Sequence, residues 1–332
     1  MILVSGNRRL PVPPAKTTPF IGVNYTVPTQ SAWHASIMKT PGGNRDMRGL
    51  ILMLAGVTSL LAQGEKIRVI AFGAHPDDCD IRASGTAALM AAAGHAVKFV
   101  SVTNGDVGHQ TLHGAPLAER RLAEARESAR RLGIEYEVLG NHDGELLPTL
   151  EVRKQVIRQI REWNADVVLA PRPNDYHPDH RYTGVLVQDA AYMVVVPHML
   201  PEAPALRKNP VFLYYEDGFQ RPNPFRPDIA VAIDDVIDKK IAALDSHVSQ
   251  FYEWLPWVAG TLAEVPQDPA ERKAWLKRSR TRDISPAVRA SLVKWYGPAK
   301  GNAARYYEAF EVCEYGTQPS EARIRQLFPM LR

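Results

Sequence analysis

Residues 67–78 read Ile67-Arg68-Val69-Ile70-Ala71-Phe72-Gly73-Ala74-His75-Pro76-Asp77-Asp78. The first six residues form a short apolar run, the pattern of a strand buried on both faces of a parallel sheet. Such a strand often opens into G-x-G-x-x-G and a helix that together hold a dinucleotide. Here that fingerprint is missing. The loop that would cradle a pyrophosphate carries a histidine and two aspartates instead, so a nicotinamide-dependent dehydrogenase is set aside.

Downstream of this stretch, apolar runs alternate with helical patterns. A small-residue helix is expected over 82–93, before Gly94, and a second strand over 97–102. An amphipathic helix spans 117–132 and stops at Gly133, a suitable C-cap. Further strands are expected at 136–139, 166–170, 211–215 and 229–233, with helices at 150–163 and 183–196. Asp234 resembles an N-cap for a helix running to about Tyr252, and a last strand lies around 307–312. Strands alternating with helices of this length predict an α/β fold, a Rossmann-like, mostly parallel sheet with helices on both faces. In such sheets, ligands bind at the carboxyl ends of the strands.

Two strand ends carry the chemistry. One holds His75-Pro76-Asp77-Asp78. The other follows the strand at 166–170 and reads Asp175-Tyr176-His177-Pro178-Asp179-His180-Arg181. A catalytic zinc takes three protein ligands and keeps one position for water. His75, Asp78 and one of the second pair of histidines supply that set, which suits iron(II) as well. Asp77 and the remaining histidine are left for acid–base work. Zinc brings the pKa of a bound water to about 7. A carboxylate accepts its proton, and a protonated histidine stabilises the oxyanion of a tetrahedral intermediate. These residue types fit the hydrolysis of an amide or ester.

Both segments resemble the LmbE-like, PIG-L family of zinc-dependent N-acetylglucosaminyl deacetylases. The resemblance rests on A-H-P-D-D at 74–78 and H-P-D-H at 177–180. Thr103–Gly108, Arg121 and Glu124, Asp143-Gly144 and His247-Val248-Ser249-Gln250 are similar to further family features. It covers about residues 66–252. The resemblance implies that His75, Asp78 and His180 hold the metal, and that Asp77 is the general base and returns a proton to the leaving amine. It implies that His177 stabilises the oxyanion, that Asp179 orients His177, and that Arg121 contacts a small-molecule or glycoconjugate substrate. It gives His247 and Gln250 no role. In the thiol-biosynthesis branch a tyrosine stands two residues before the first histidine of H-P-D-H, whereas here that position is Asp175. Cys79, next to Asp78, reads as a small packing residue rather than a soft ligand.

Gly140-Asn141-His142-Asp143 matches an element of binuclear metallophosphoesterases. Those sites also need an upstream D-x-H and a G-D-x-x-D, and neither is present before it, so the match reads as chance. A non-catalytic sugar-binding protein would lack a base or a ligand, and here the set is complete. An amidase acting on another acyl group or on a thiol conjugate would use the same residues.

The remaining sequence bounds the rest. The chain of 332 residues has a formal net charge of +4 and two cysteines, too few for a disulfide scaffold. Residues 1–62 hold six basic side chains and one acidic one, which leaves 63–332 slightly acidic and argues against nucleic acid. Residues 1–46 show no apolar period and are expected to lie outside the true protein. Met47-Arg48, the apolar run to Leu61 and small residues near Ala62 have the form of a secretory signal peptide over 47–62. That implies a secreted or periplasmic location if Met47 is the true start and a cytoplasmic one otherwise. The run is too short to span a membrane. One domain is expected over 63–332, with a helical insertion at about 255–300. There, Trp254, Trp257, Trp275 and Trp295 form either a small apolar core or a lid over a sugar.

Overall fold

The computed structural model describes residues 66–281 and 283–331, so the expectations for 1–46 and 47–62 lie outside the described residues. Seven strands form one sheet: β1 (Arg68–Gly73), β2 (Ala96–Thr103), β3 (Glu135–Asn141), β4 (Val167–Ala170), β5 (Val211–Tyr215), β6 (Ile229–Ala232) and β7 (Tyr307–Gly316). Their order is β3-β2-β1-β4-β5-β7-β6. Neighbours from β3 to β5 pair in parallel, and β7 runs antiparallel to both β5 and β6.

Helices cover both faces of the sheet: α1 (Asp78–Ala92), α2 (Gly114–Leu132), α3 (Leu150–Trp163), α4 (Pro178–Met193) and α5 (Ile237–Ser246). The alternation of β1 divides the core. Val69 and Ala71 pack with Ala83 and Ala87 of α1 and Leu244 of α5, while Ile70 and Phe72 pack with Val156 of α3 and Leu186 of α4. A strand apolar on both faces has no alternative to this double cover.

Two helices begin earlier than apolar periodicity predicts. α1 starts at Asp78 rather than 82, and α4 at Pro178 rather than 183. In each, polar residues break the apolar period at the start, Asp78 and Asp80 in α1 and Asp179 and His180 in α4, although Asp80 and Asp179 are themselves buried. Acidic side chains suit these turns because helix N-termini favour negative charge. At α4, Pro178 occupies the first helical turn, and the Asp179 amide donates to Nδ1 of His177, the N-cap, at 3.2 Å.

The helix expected to reach Tyr252 breaks instead. α5 ends at Ser246, and residues 249–254 form a π-helical turn. The Ser249 amide donates to Glu124 Oε1 at 2.9 Å, so a side chain takes up a backbone donor of the helical ladder. The segment beyond is helical as expected, with α6 (Leu255–Val258), α7 (Pro269–Ser279) and α8 (Pro286–Ala303), followed after β7 by α9 (Glu321–Leu327). The tryptophans divide. Trp295 is buried and its indole donates to the Asp228 carbonyl, and Trp275 packs near Tyr252. Trp254 and Trp257 stack on each other, 5.3 Å between ring centroids, with Trp257 51 % exposed.

The bend from β1 into α1 needs glycine. A Cβ on Gly73 would lie 2.6 Å from the Cβ of Asp78 and 3.3 Å from the Cys79 amide. Gly73→Ala is expected to cost about 1–3 kcal/mol through overpacking and to weaken metal binding by displacing Asp78. Urea denaturation and metal titration check this. Wild-type values in both would remove the argument from close approach.

Candidate metal centre

β1 and β4 are adjacent, and the chain leaves them toward opposite edges of the sheet, β1 to β2 and β4 to β5. Their carboxyl ends border the crevice where an open α/β sheet takes its ligand. His75, Asp77 and Asp78 come from the end of β1 and the start of α1. Asp175, His177, Asp179 and His180 come from the loop after β4 and the start of α4.

Three side-chain atoms face one point. His75 Nδ1 lies 3.2 Å from His180 Nε2 and 3.5 Å from Asp78 Oδ2, and the last two are 3.4 Å apart. Ligand atoms at zinc bond lengths in tetrahedral geometry sit about 3.4 Å from one another. Two imidazole nitrogens turned toward each other have at most one proton to share, whereas two lone pairs directed at a cation are satisfied together. Asp78 is pinned in place, because its Oδ2 also accepts the His75 amide at 2.8 Å.

The outward nitrogens of both histidines meet carboxylates. His75 Nε2 lies 2.9 Å from Asp143 Oδ1 and 3.4 Å from Asp179 Oδ2, and His180 Nδ1 lies 2.9 Å from Asp175 Oδ1. Metal-binding histidines commonly donate their other N–H in this way, which fixes ring orientation and leaves the inner nitrogen free to bind. Two further groups bring ligand atoms together, His75 with His177 and His180, and His75 with Asp143 and Asp179. The second uses the Nε2 face of His75, where the carboxylates serve its N–H. In the first, Nδ1 of His177 is already occupied as the helix cap. The set His75, Asp78 and His180 therefore fits a small divalent metal best.

Protonation follows the same arrangement. Burial would lower the His75 pKa, but hydrogen bonds to Asp143, Asp179 and Asp78 outweigh it and hold the pKa well above the ordinary imidazole value. Burial also opposes charge on His180, yet Asp78 and Asp175 push it up to about 9. Asp78 resists the upward pull of burial and is held well below the usual carboxylate range by His180 and His75. The carboxylates thus demand positive charge at this point, from protons or from a metal.

Asp77 differs from its neighbour. Burial raises its pKa, and the Arg121 guanidinium only partly offsets the effect. Arg121 Nη2 donates to Asp77 Oδ1 at 2.6 Å, and the second carboxylate oxygen has no hydrogen-bond partner among the described residues. Arg121 is 2 % exposed, so it lies behind Asp77 rather than on the cleft surface where the sequence reading put it. Gly105, at φ +70°, makes room for it, since a Cβ there would stand 2.6 Å from Arg121 Nη1.

Burial, His75 and His180 lower the His177 pKa, and its Nδ1 accepts the Asp179 amide, which leaves Nε2 as the ring's N–H donor in the neutral form. Asp179, fully buried, accepts the Gly144 amide at 2.7 Å and the Leu146 amide at 3.3 Å, and it faces His75. Its carboxylate fastens the 143–146 loop to the site, and its link to His177 runs through its backbone.

Residues left without a role now have one. His247, fully buried, lies 3.1 Å from Asp80, which also accepts from Ser128, and so ties α5 to α1 and α2. Gln250 donates to the Gly108 carbonyl at 3.1 Å, and the Ser249 hydroxyl donates to Glu124 at 2.6 Å. Cys79 is buried in packing, its thiol 3.4 Å from the Ala71 carbonyl. His142 turns outward to Asp106 at 2.7 Å, while its neighbour Asp143 enters the site. The motifs name neither Asp143 nor Asp175 as histidine partners. Asp143 stands out in the sequence within a short Asp-Gly feature and a chance phosphoesterase-like match, and Asp175 as the start of the second segment and a departure from a family branch.

A family model described as PIG-L, GlcNAc-PI de-N-acetylase, matches residues 70–191. A diacetylchitobiose deacetylase of Thermococcus kodakarensis is 34 % identical over 203 residues, 57 % of this chain and 73 % of that protein. A probable N-acetyl-alpha-D-glucosaminyl L-malate deacetylase 2 of Bacillus anthracis is 26 % identical over 217 residues, 61 % of this chain and 89 % of its own. The solved N,N'-diacetylchitobiose deacetylase from Pyrococcus horikoshii superposes with a TM-score of 0.56 at 26 % identity, covering 81 % of this chain and 94 % of its own.

The carboxylates behind the histidines generate a prediction. Asp143→Asn and Asp175→Asn are each expected to weaken metal binding about 10–100-fold, measured by competition with a chromogenic chelator. Wild-type affinity in both variants would show that the ligand histidines need no orientation.

Proposed function

This chain belongs to the PIG-L family, and on that premise we propose that it is a zinc-dependent hydrolase that removes an acetyl group from the amide of an N-acetylglucosamine-type sugar. The observation that carries the reading is the three-atom convergence of His75, Asp78 and His180, with the base Asp77 beside it on the same loop. The relatives named above act on N-acetylated amino sugars, which fits an amide hydrolase built on this site.

His75, Asp78 and His180 would hold a divalent metal, which when bound would lower the pKa of a water to near neutral. Asp77 takes the water's proton. Its raised pKa makes it a better base than an exposed carboxylate, and Arg121 fixes its direction. As the water oxygen bonds to the amide carbon, negative charge grows on the carbonyl oxygen. The Nε2–H of His177 is placed to donate to it, and a neutral imidazole does so without first being charged. Asp77 then returns its proton to the nitrogen as the C–N bond breaks, releasing acetate and a free amine.

Asp77→Asn tests the reading. The variant is expected to retain a wild-type metal-to-protein ratio and to lose about 10²–10⁴-fold in kcat, followed by acetate release from N-acetylglucosamine and diacetylchitobiose. Near-normal turnover would remove Asp77 as the base. No release by the metal-loaded wild-type protein from any N-acetylated sugar would overturn the function.

A further inference from the structure

The pocket that reaches Asp78, Asp175 and His180 shares Arg82 and Glu216 with a second cavity of about 360 Å³. That cavity is lined by cations whose charges are not all balanced. Lys240 is balanced, because its Nζ lies 2.5 Å from Glu308 Oε1. Glu308 also accepts the Gly85 and Thr86 amides at 2.9 and 2.6 Å, which fully engages it. Glu216 Oε1 accepts the Tyr307 hydroxyl at 3.2 Å.

Arg305 is balanced as well, its Nε 3.7 Å from Asp234 Oδ1, and the other two arginines are different. Arg82 donates Nη1 to the Glu216 carbonyl at 2.7 Å, and no carboxylate pairs with it among the described residues. The Arg280 guanidinium has no hydrogen-bond or ion-pair partner among the described residues. Its Nε is buried without an acceptor, and its plane lies 4.8 Å over the Phe251 ring. Burial lowers the Arg280 pKa, Arg82 lowers it further, and the charge of Asp77 acts the other way. So the two guanidinium groups feel each other, and Arg280 feels the catalytic loop.

Both arginines are half-buried, with the Arg280 Nε fully enclosed, and a cation partly withdrawn from water without a partner is costly. Arginine's planar fork is also the group best matched to carboxylate and phosphate oxygens. We propose that Arg82 and Arg280 form an anion subsite joined to the metal centre, which takes a carboxylate or phosphate borne by the substrate. The inference rests on the deacetylase reading above and narrows it: the substrate is an acidic conjugate of an N-acetylated amino sugar, not a neutral one.

The products of the reaction provide probes that do not turn over. The metal-loaded full chain is titrated calorimetrically with methyl glucosaminide, carboxymethyl glucosaminide and glucosamine 1-phosphate. At least one acidic ligand is expected to bind about tenfold or more tightly than the neutral one, and the stronger of the two identifies carboxylate or phosphate as the group. Arg280→Gln is expected to abolish that preference, bringing the acidic ligands to the affinity of the neutral one, and Arg280→Lys to restore part of it. Should Arg280→Gln fail to fold, Arg82→Gln makes the same test. Equal binding of all three ligands, or a preference that survives both glutamine variants, overturns the subsite. Acetate release from the matching N-acetyl compounds separates the two claims. An acidic preference without any release keeps the subsite and removes the deacetylase, and release with no acidic preference does the reverse.

Discussion

Five aspartates, Asp77, Asp78, Asp143, Asp175 and Asp179, gather around two imidazoles at the carboxyl ends of β1 and β4, and the local structure follows from the need to keep so much negative charge there. Carboxylates removed from water must find donors or cations. Backbone amides supply part of the answer: His75 for Asp78, Gly108 for Asp143, His177 for Asp175, and Gly144 and Leu146 for Asp179. Arg121 supplies a full charge to Asp77. The histidines supply the rest, and a divalent metal between them would satisfy both while leaving Asp77 outside the ligand set. The two neighbouring carboxylates differ in kind: Asp78 is held well below the usual carboxylate range by His180 and His75, whereas burial raises the pKa of Asp77.

The helices behind the site bear this load. Arg121 and Glu124 lie one turn apart on α2, the first holding Asp77 and the second the amide and hydroxyl of Ser249. The π-helical turn at 249–254 is the consequence of spending those groups on Glu124. It also carries Gln250 to the Gly108 carbonyl, and so supports the loop whose amide holds Asp143. Asp80, two residues beyond Asp78 on α1, joins His247 and Ser128 in a buried cluster. These contacts place nothing in the cleft. They fix the direction of the groups that face it, and a ligand set without such support is imprecise.

Much of this was legible in the sequence, for identifiable reasons. A fully apolar β1 announced a parallel sheet covered on both faces, and its immediate replacement by His75-Pro76-Asp77-Asp78 announced chemistry at a strand end. The starts of α1 and α4 were displaced because Asp78 and Asp80, and Asp179 and His180, break the apolar period in their first turns. Asp143 and Asp175 could not be assigned as histidine partners because that role is defined by distance in space, across 68 positions of chain for Asp143. The resemblance implied a substrate contact for Arg121, and the motif alone does not show that its guanidinium is buried against Asp77 in the room left by Gly105. The four tryptophans were alike in sequence and unlike in place, since one indole met a backbone carbonyl in the core and two met each other near the surface.

The fold also divides chemistry from selectivity. All the proposed ligands and the base arise between β1 and α4, the stretch matched by the family model. The neighbouring walls come from elsewhere: Glu216 after β5, Trp254 in the π-helical turn, Arg280 after α7. A point above Gly108 that lies 3.4 Å from Asp143 lies 3.8 Å from the Trp254 indole nitrogen, so the second group reaches the edge of the first. The parallel half of the sheet fixes where an amide must sit, because strand ends and helix starts leave the ligands little freedom. The segment between α5 and β7 is held less directly: α8 packs on β6 and α7 on α5, and Arg280 after α7 reaches the second cavity. A motif at two strand ends can therefore reveal the bond to be broken, while part of the wall around it is set by a segment outside that motif.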